Sequence, residues 1–235
     1  MNSIKPMGKT GFSGNRKPRA LALALALALA LCLVLSLSVL PAGVRAASLR
    51  DFPDAPAPEH WAYQSMDAMV RYDVLRGNDE GLLEPNGILT RAQLAAIIVR
   101  VGGGTGEKAD LSVYQDVNPD AWYADYLASA VGSGYLKGDG STLRPDDPIT
   151  REETFTVLGR AMFLSDGTRE DLSSFADADQ VSDWAVPYVG ALVRKSMITG
   201  ADGQLYPRSN ITRAEFSKAA YTAAKVYLGG GTGLG

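Results

Sequence analysis

Three arginines recur in one local pattern: Arg91 in Leu89-Thr90-Arg91-Ala92-Gln93, Arg151 in Ile149-Thr150-Arg151-Glu152-Glu153, and Arg213 in Ile211-Thr212-Arg213-Ala214-Glu215. In each copy a Thr is followed three residues later by Glu or Gln and then by apolar residues at helical spacing, which reads as a capping box opening an amphipathic helix. The arginine therefore falls on the first helical position, where the helix macrodipole disfavours a cation. A guanidinium beside the unpaired N–H groups of a helix start makes a site for an anion, most naturally a carboxylate held by two parallel hydrogen bonds. The sequence also allows each Arg to pair with a nearby Asp at the surface, but recurrence in three copies favours the ligand. On the ligand reading, truncating one of these arginines weakens binding and leaves stability level or slightly raised.

Catalytic chemistry finds few parts. His60 is the only histidine and Cys32 the only cysteine, so a His-based triad, a thiol nucleophile in the folded part and a thiolate metal site all lack members. Asp177, Asp179 and Asp183 suggest calcium, but a calcium loop starting at Asp177 would need an oxygen ligand at Val181, Gly at Ser182 and Glu at Tyr188. No carboxylate pair stands out for glycoside hydrolysis. The expectation is no enzyme, no cofactor and no metal.

The first residues read as an address. Lys5, Lys9, Arg16, Lys17 and Arg19 precede an apolar run from Ala20 to Leu40, and Val44 and Ala46 suit cleavage after Ala46, so residues 1–46 have the layout of a secretory signal peptide. The run is also long enough to span a bilayer, which keeps an uncleaved membrane anchor as the alternative. The segment 1–46 holds six basic residues and no acidic one, so its removal takes the net charge from −3 to −9. An acidic chain is a poor match for nucleic acid or an anionic membrane, so any anionic ligand must be caught by local arginines.

The rest repeats with a period of about 61 residues, and Trp61, Trp122 and Trp184 mark it. Each Trp follows an aromatic-x-Asp triplet, ending in Asp54, Asp116 or Asp177, and precedes by sixteen residues a Gly: Gly77, Gly138 or Gly200. Helical apolar spacing between Trp and Gly predicts a helix of about four turns ended by that Gly. Turns at Asp79–Gly81, Asp139-Gly140 and Asp202-Gly203 follow, then Leu83, Leu143 and Leu205 to pin a loop, then the Thr-capped helix. The second copy has Thr154 and Phe155 where Leu94 and Phe216 set the apolar face, which suggests a slight rotation of that helix. A helix–loop–helix of this size cannot bury its apolar faces alone, so the three units should share one core.

Taken together, Phe-x-Asp, the Trp at a helix start, the Gly, the Asp-Gly turn, x-Pro and Ile-Thr-Arg-Ala-Glu resemble the S-layer homology (SLH) module, in three tandem copies over residues 50 to about 226. The resemblance implies an all-α fold: three helix-loop-helix repeats sharing one core as a pseudo-threefold helical bundle, preceded by the signal peptide. The expected boundaries are 50–103, 112–165 and 173–228, with a flexible Gly-rich tail at 229–235. It further implies a non-covalent anchor, secreted to the cell wall or surface layer, that binds secondary cell-wall polysaccharide with pyruvylated sugars in grooves between repeats. Surface-layer proteins are further implied partners, and nucleic acid is not one. The alternative is a membrane-tethered envelope protein, with its N-terminal helix uncut, that contacts peptidoglycan or protein.

By position the resemblance assigns Arg91, Arg151 and Arg213 to the ligand carboxylate. It gives the sugar pocket Asp54, Asp116 and Asp177, Trp61, Trp122 and Trp184, Gly77, Gly138 and Gly200, and Asn78 and Asp139. The third copy has Ala201 where the others have Asn78 and Asp139, so if that polar side chain contacts sugar its groove is the weakest. Core packing for the Trp residues and turn formation for the Asp residues remain open as alternatives.

Overall fold

A computed structural model of the protein describes residues 48–102 and 107–229. The signal segment and the Gly-rich tail beyond Gly229 lie outside the described residues. Six α-helices are described: α1 (Tyr63–Arg71), α2 (Arg91–Gly102), α3 (Ala124–Gly132), α4 (Arg151–Ala161), α5 (Val186–Arg194) and α6 (Arg213–Gly229). Short 3-10 turns at Leu49–Asp51, Glu170–Leu172 and Ala178–Gln180 complete the helical structure. Among the described residues there is no extended strand, and no helix is long and apolar enough to cross a membrane.

The repeats interlock in a ring. Helix α2 packs on α3, α4 on α5, and α6 closes the circle on α1, so each repeat lays its second helix on the first helix of the next. At the centre, the residue before each capping Thr joins a cycle of backbone hydrogen bonds. Leu89 N–H donates to Ile211 C=O at 3.0 Å, Ile211 N–H to Ile149 C=O at 3.2 Å, and Ile149 N–H to Leu89 C=O at 3.0 Å. All three side chains are fully buried, which places an apolar plug on the pseudo-threefold axis.

The Thr-capped helices begin where expected. Thr150 and Glu153 exchange the two bonds of a capping box, Thr90 and Gln93 do the same at 3.2 Å each way, and Thr212 N–H and Glu215 N–H are satisfied reciprocally at 2.8 and 3.2 Å. Helix α4 keeps the register of its counterparts: Thr154 is buried like Leu94 and Phe216, and its hydroxyl is satisfied by donating to Thr150 C=O at 2.8 Å. The rotation suggested by Thr154 does not occur, because back-bonding lets a hydroxyl occupy a core position.

The first helices are shorter than the spacing predicted, at nine residues each. They end well before Gly77, Gly138 and Gly200, at Asp73, Gly134 and Ser196, which take left-handed φ values of 57°, 75° and 55°. The next residue donates to the carbonyl five residues back, Val74 to Met69, Tyr135 to Ala130 and Met197 to Leu192, each at 2.9 Å, which is the 6→1 bond of a Schellman closure. The apolar residues that extended the helical pattern to the glycine are this closure's buried anchor, not another turn of helix.

Candidate functional site

The glycines that recur in all three repeats have a packing role. A Cβ on Gly77 would lie 2.6 Å from the Phe52 ring, on Gly138 2.9 Å from the Tyr114 ring, and on Gly200 2.7 Å from the Phe175 ring. In each repeat the ring edge of the aromatic in the aromatic-x-Asp triplet therefore lies close against the Gly of the same repeat. Two residues further along the triplet, the Asp clips the following loop. Asp54 accepts from Leu83 N–H and Glu84 N–H, Asp116 from Leu143 N–H and Arg144 N–H, and Asp177 from Leu205 N–H and Tyr206 N–H, at 2.6 to 2.9 Å. Glu84, Arg144 and Tyr206 are non-glycine residues at φ values of 52°, 54° and 51°, a conformation that costs of order 1–3 kcal/mol each. The carboxylate holds that loop in place. Asn78 and Asp139 likewise bond locally: Asn78 Oδ1 accepts from Glu80 and Leu82 N–H at 3.0 and 2.9 Å, and Asp139 accepts from the Thr142 hydroxyl and pairs with Arg144.

The three arginines are buried, with 3, 8 and 8 % of their surface exposed for Arg91, Arg151 and Arg213. Each reaches across the repeat boundary. Nε donates to the carbonyl of the loop-pinning leucine of the next repeat: Arg91 to Leu143, Arg151 to Leu205 and Arg213 to Leu83, at 2.7 to 2.8 Å. The helix-start N–H groups expected to stay open are taken by the same loop. Arg91 and Ala92 donate to Asp147 and Pro145 carbonyls, Arg151 and Glu152 to Ser209 and Pro207, and Arg213 and Ala214 to Gly87 and Pro85. An anion at these helices would thus meet a guanidinium edge alone. A buried guanidinium ties two repeats together, so truncation is expected to lower stability rather than leave it level or slightly raised.

The copies differ in what remains free. Every nitrogen of Arg91 is engaged: besides Nε, Nη1 pairs with Glu153 at 2.9 Å and Nη2 donates to Lys137 C=O. Arg213 donates Nη2 to Arg76 C=O but has no carboxylate on Nη1, since Gln93 stands where the other copies have Glu. Arg151 pairs Nη1 with Glu215 at 3.0 Å, and its Nη2 makes no bond among the described residues. Burial pushes the pKa of all three down, opposed by Glu153 for Arg91, by Glu215 for Arg151, and by Glu84 and Asp54 for Arg213. They remain cations across the physiological range.

Trp61, Trp122 and Trp184 sit just before the first helices and are 53, 59 and 49 % exposed, so they are surface residues and not core. His60 lies beside Trp61 with ring centroids 5.1 Å apart, and its Nδ1 accepts from Ala62 N–H. A groove of about 320 Å³ is lined by α4, α6 and the third-repeat loop, together with Trp61 just before α1. Trp61, Arg151 and Gly200 all line it, brought together from three different repeats. Phe155, in the sequence only a helix-face residue, lines it too, as do Lys218 and Thr222, which sequence reasoning passed over because they lie outside the repeated motif.

The S-layer homology domain profile matches residues 53–95, 113–155 and 174–217, more than half of the chain. The chain belongs to the S-layer homology family. Its relatives include the surface-layer 125 kDa protein of Lysinibacillus sphaericus, 32 % identical over 73 % of this chain and 14 % of that protein. The S-layer protein sap of Bacillus anthracis is 28 % identical over 72 % of this chain and 21 % of its own length. An amylopullulanase of Thermoanaerobacterium thermosulfurigenes is 29 % identical over 69 % of this chain but only 9 % of the enzyme. The chain thus spans between about a tenth and a fifth of these relatives. The SLH family assignment makes the three repeats a cell-surface anchoring unit.

Proposed function

We propose that the SLH repeats anchor the protein non-covalently by binding secondary cell-wall polysaccharide with pyruvylated sugars in grooves between repeats. The observation that carries this reading is the groove lined by Trp61 and Arg151: an exposed indole face suits a sugar ring, and a guanidinium with an open edge suits the single carboxylate of a pyruvyl ketal. Its volume falls at the lower end of the roughly 300–1,000 Å³ of small-molecule sites, enough for part of a saccharide rather than a long stretch of chain. The test is co-sedimentation with sacculi. The protein should pellet with sacculi that retain their secondary polymer and stay in solution with bare peptidoglycan. Equal binding to both would transfer the ligand role to peptidoglycan or to a protein partner.

A further inference from the structure

At two of the three repeat boundaries an arginine lies on a tyrosine, and the arginine positions correspond to one that lines the groove. Arg100 of α2 lies over the Tyr126 ring of α3 at 5.1 Å, and Arg160 of α4 lies over the Tyr188 ring of α5 at 5.0 Å. Each also donates Nη1 backwards, to Val74 C=O and Tyr135 C=O. Arg100 and Arg160 stand nine residues after Arg91 and Arg151; nine residues after Arg213 the chain has Thr222. Tyr126 and Tyr188 stand four residues after their Trp, and four residues after Trp61 the chain has Ser65, a small side chain turned onto Ala62 C=O. Both halves of this arginine–tyrosine contact are therefore missing where α6 meets α1. Thr222 and Met197, the counterpart of Val74 and Tyr135, face the groove instead.

The same boundary gains charge. Lys218 lines the groove, is exposed and makes no ion pair among the described residues; its counterparts five residues after Arg91 and Arg151 are Ala96 and Thr156. The charged residues lining the groove are Arg151, Lys218 and Glu215, and Glu215 is already engaged by Arg151 Nη1. The groove thus carries two cations against one paired carboxylate, opposite in sign to the chain's overall charge.

We propose that this groove is the chain's principal site for a carboxylate-bearing saccharide, and that two residues outside the repeat motif select it: Thr222 by leaving it open and Lys218 by adding a second cation. This rests on the polysaccharide reading above. The apolar floor from Phe155, the Trp61 face and the free Nη2 edge of Arg151 then serve one acidic sugar. The absence of a polar side chain at Ala201 leaves room for the ring rather than weakening the site.

The test uses the full chain and purified secondary polymer, native or with its ketal-linked pyruvate removed by mild acid. Lys218→Glu and Thr222→Arg should each weaken binding to native polymer by roughly tenfold or more, the first by reversing a contact charge and the second by refilling the groove. Lys225→Ala, the same charge on the same helix away from the groove, should bind within about twofold of the parent. Removal of pyruvate should weaken the parent and leave Lys218→Glu little changed. Lys218 is exposed, so its variant keeps its fold, and thermal melting checks Thr222→Arg. Parent-like binding by both variants while the parent still binds polymer would overturn this groove and leave the polysaccharide reading standing. Parent binding that ignores pyruvate would overturn the acidic-sugar assignment. A parent that binds no polymer would bring down both.

Discussion

A buried guanidinium without a close ion pair is costly, and Arg213 is in that position among the described residues because Gln93 replaces the Glu that serves Arg91 and Arg151, leaving only the longer-range charges of Glu84 and Asp54. Gln93→Glu should therefore raise stability, by about 1 kcal/mol as a partly buried charge-assisted pair. Arg213→Ala should lower it by about 2–4 kcal/mol, since it leaves Leu83 and Arg76 carbonyls unpaired at the boundary that closes the ring. Urea denaturation of both variants checks these signs, and a parent-like midpoint for Arg213→Ala would show that the cross-repeat bonds contribute nothing. The aspartate clip gives a pH dependence. Burial raises the Asp54 pKa, but the N–H groups of Leu83 and Glu84 outweigh burial and hold it below the usual carboxylate value. A folded pKa below the unfolded one adds stability that is fully present above the unfolded value of about 3.9 and is lost as pH falls through the folded value. Asp54→Asn should lose about 1–3 kcal/mol at neutral pH and show a shallower acid limb than the parent, read from denaturation midpoints between neutral pH and about pH 2.

Among elements, the tightest constraint is the contact of each glycine with its aromatic and the opposite turn. A Cβ on Gly138 would lie 2.2 Å from Thr142 C=O as well as against Tyr114, so backbone must move, whereas at Gly77 the nearest atoms are a ring edge at 2.6 Å and Leu82 C=O at 3.1 Å. Gly138→Ala should cost about 1–3 kcal/mol and more than Gly77→Ala, as measured by thermal melting of the pair. The helix pairs also differ in how they are fastened. Arg160→Ala removes the ring contact with Tyr188, and a loss of about 0.5–2 kcal/mol is expected; truncating Thr222 at the equivalent place should cost far less, because it makes no such contact.

For the molecule as a whole, the cycle of hydrogen bonds from Leu89 to Ile211, Ile149 and back cannot be two-thirds formed without leaving buried backbone groups unpaired. The three repeats should therefore unfold in one transition with coincident fluorescence and circular-dichroism curves. Deleting residues 174–235 removes Ile211 and the α6 face that covers α1, so the remainder should aggregate or stay partly unfolded. A soluble, cooperatively melting two-repeat fragment would mean that each boundary is self-sufficient.

The sequence by itself determined the architecture, because period, capping and turn chemistry are local: Thr150 with Glu153 names a helix start whatever surrounds it, and three spaced tryptophans name three copies. It also put Trp61, Arg151 and Gly200 among the residues of interest, though from three separate repeats. What it could not decide was where each side chain goes once the ring closes. Arg91 reads as an open cation in the sequence and as a cross-repeat tie engaged at every nitrogen in the fold, because its partners Leu143, Lys137 and Glu153 lie some fifty to sixty residues away. Thr222 in place of Arg100 and Arg160 was visible as a difference between copies, but a difference acquires a physical meaning only when α6 is seen to face α1 and Ser65 instead of a tyrosine. Local pattern fixes the elements; the openness of a groove depends on side chains that meet only after long-range closure.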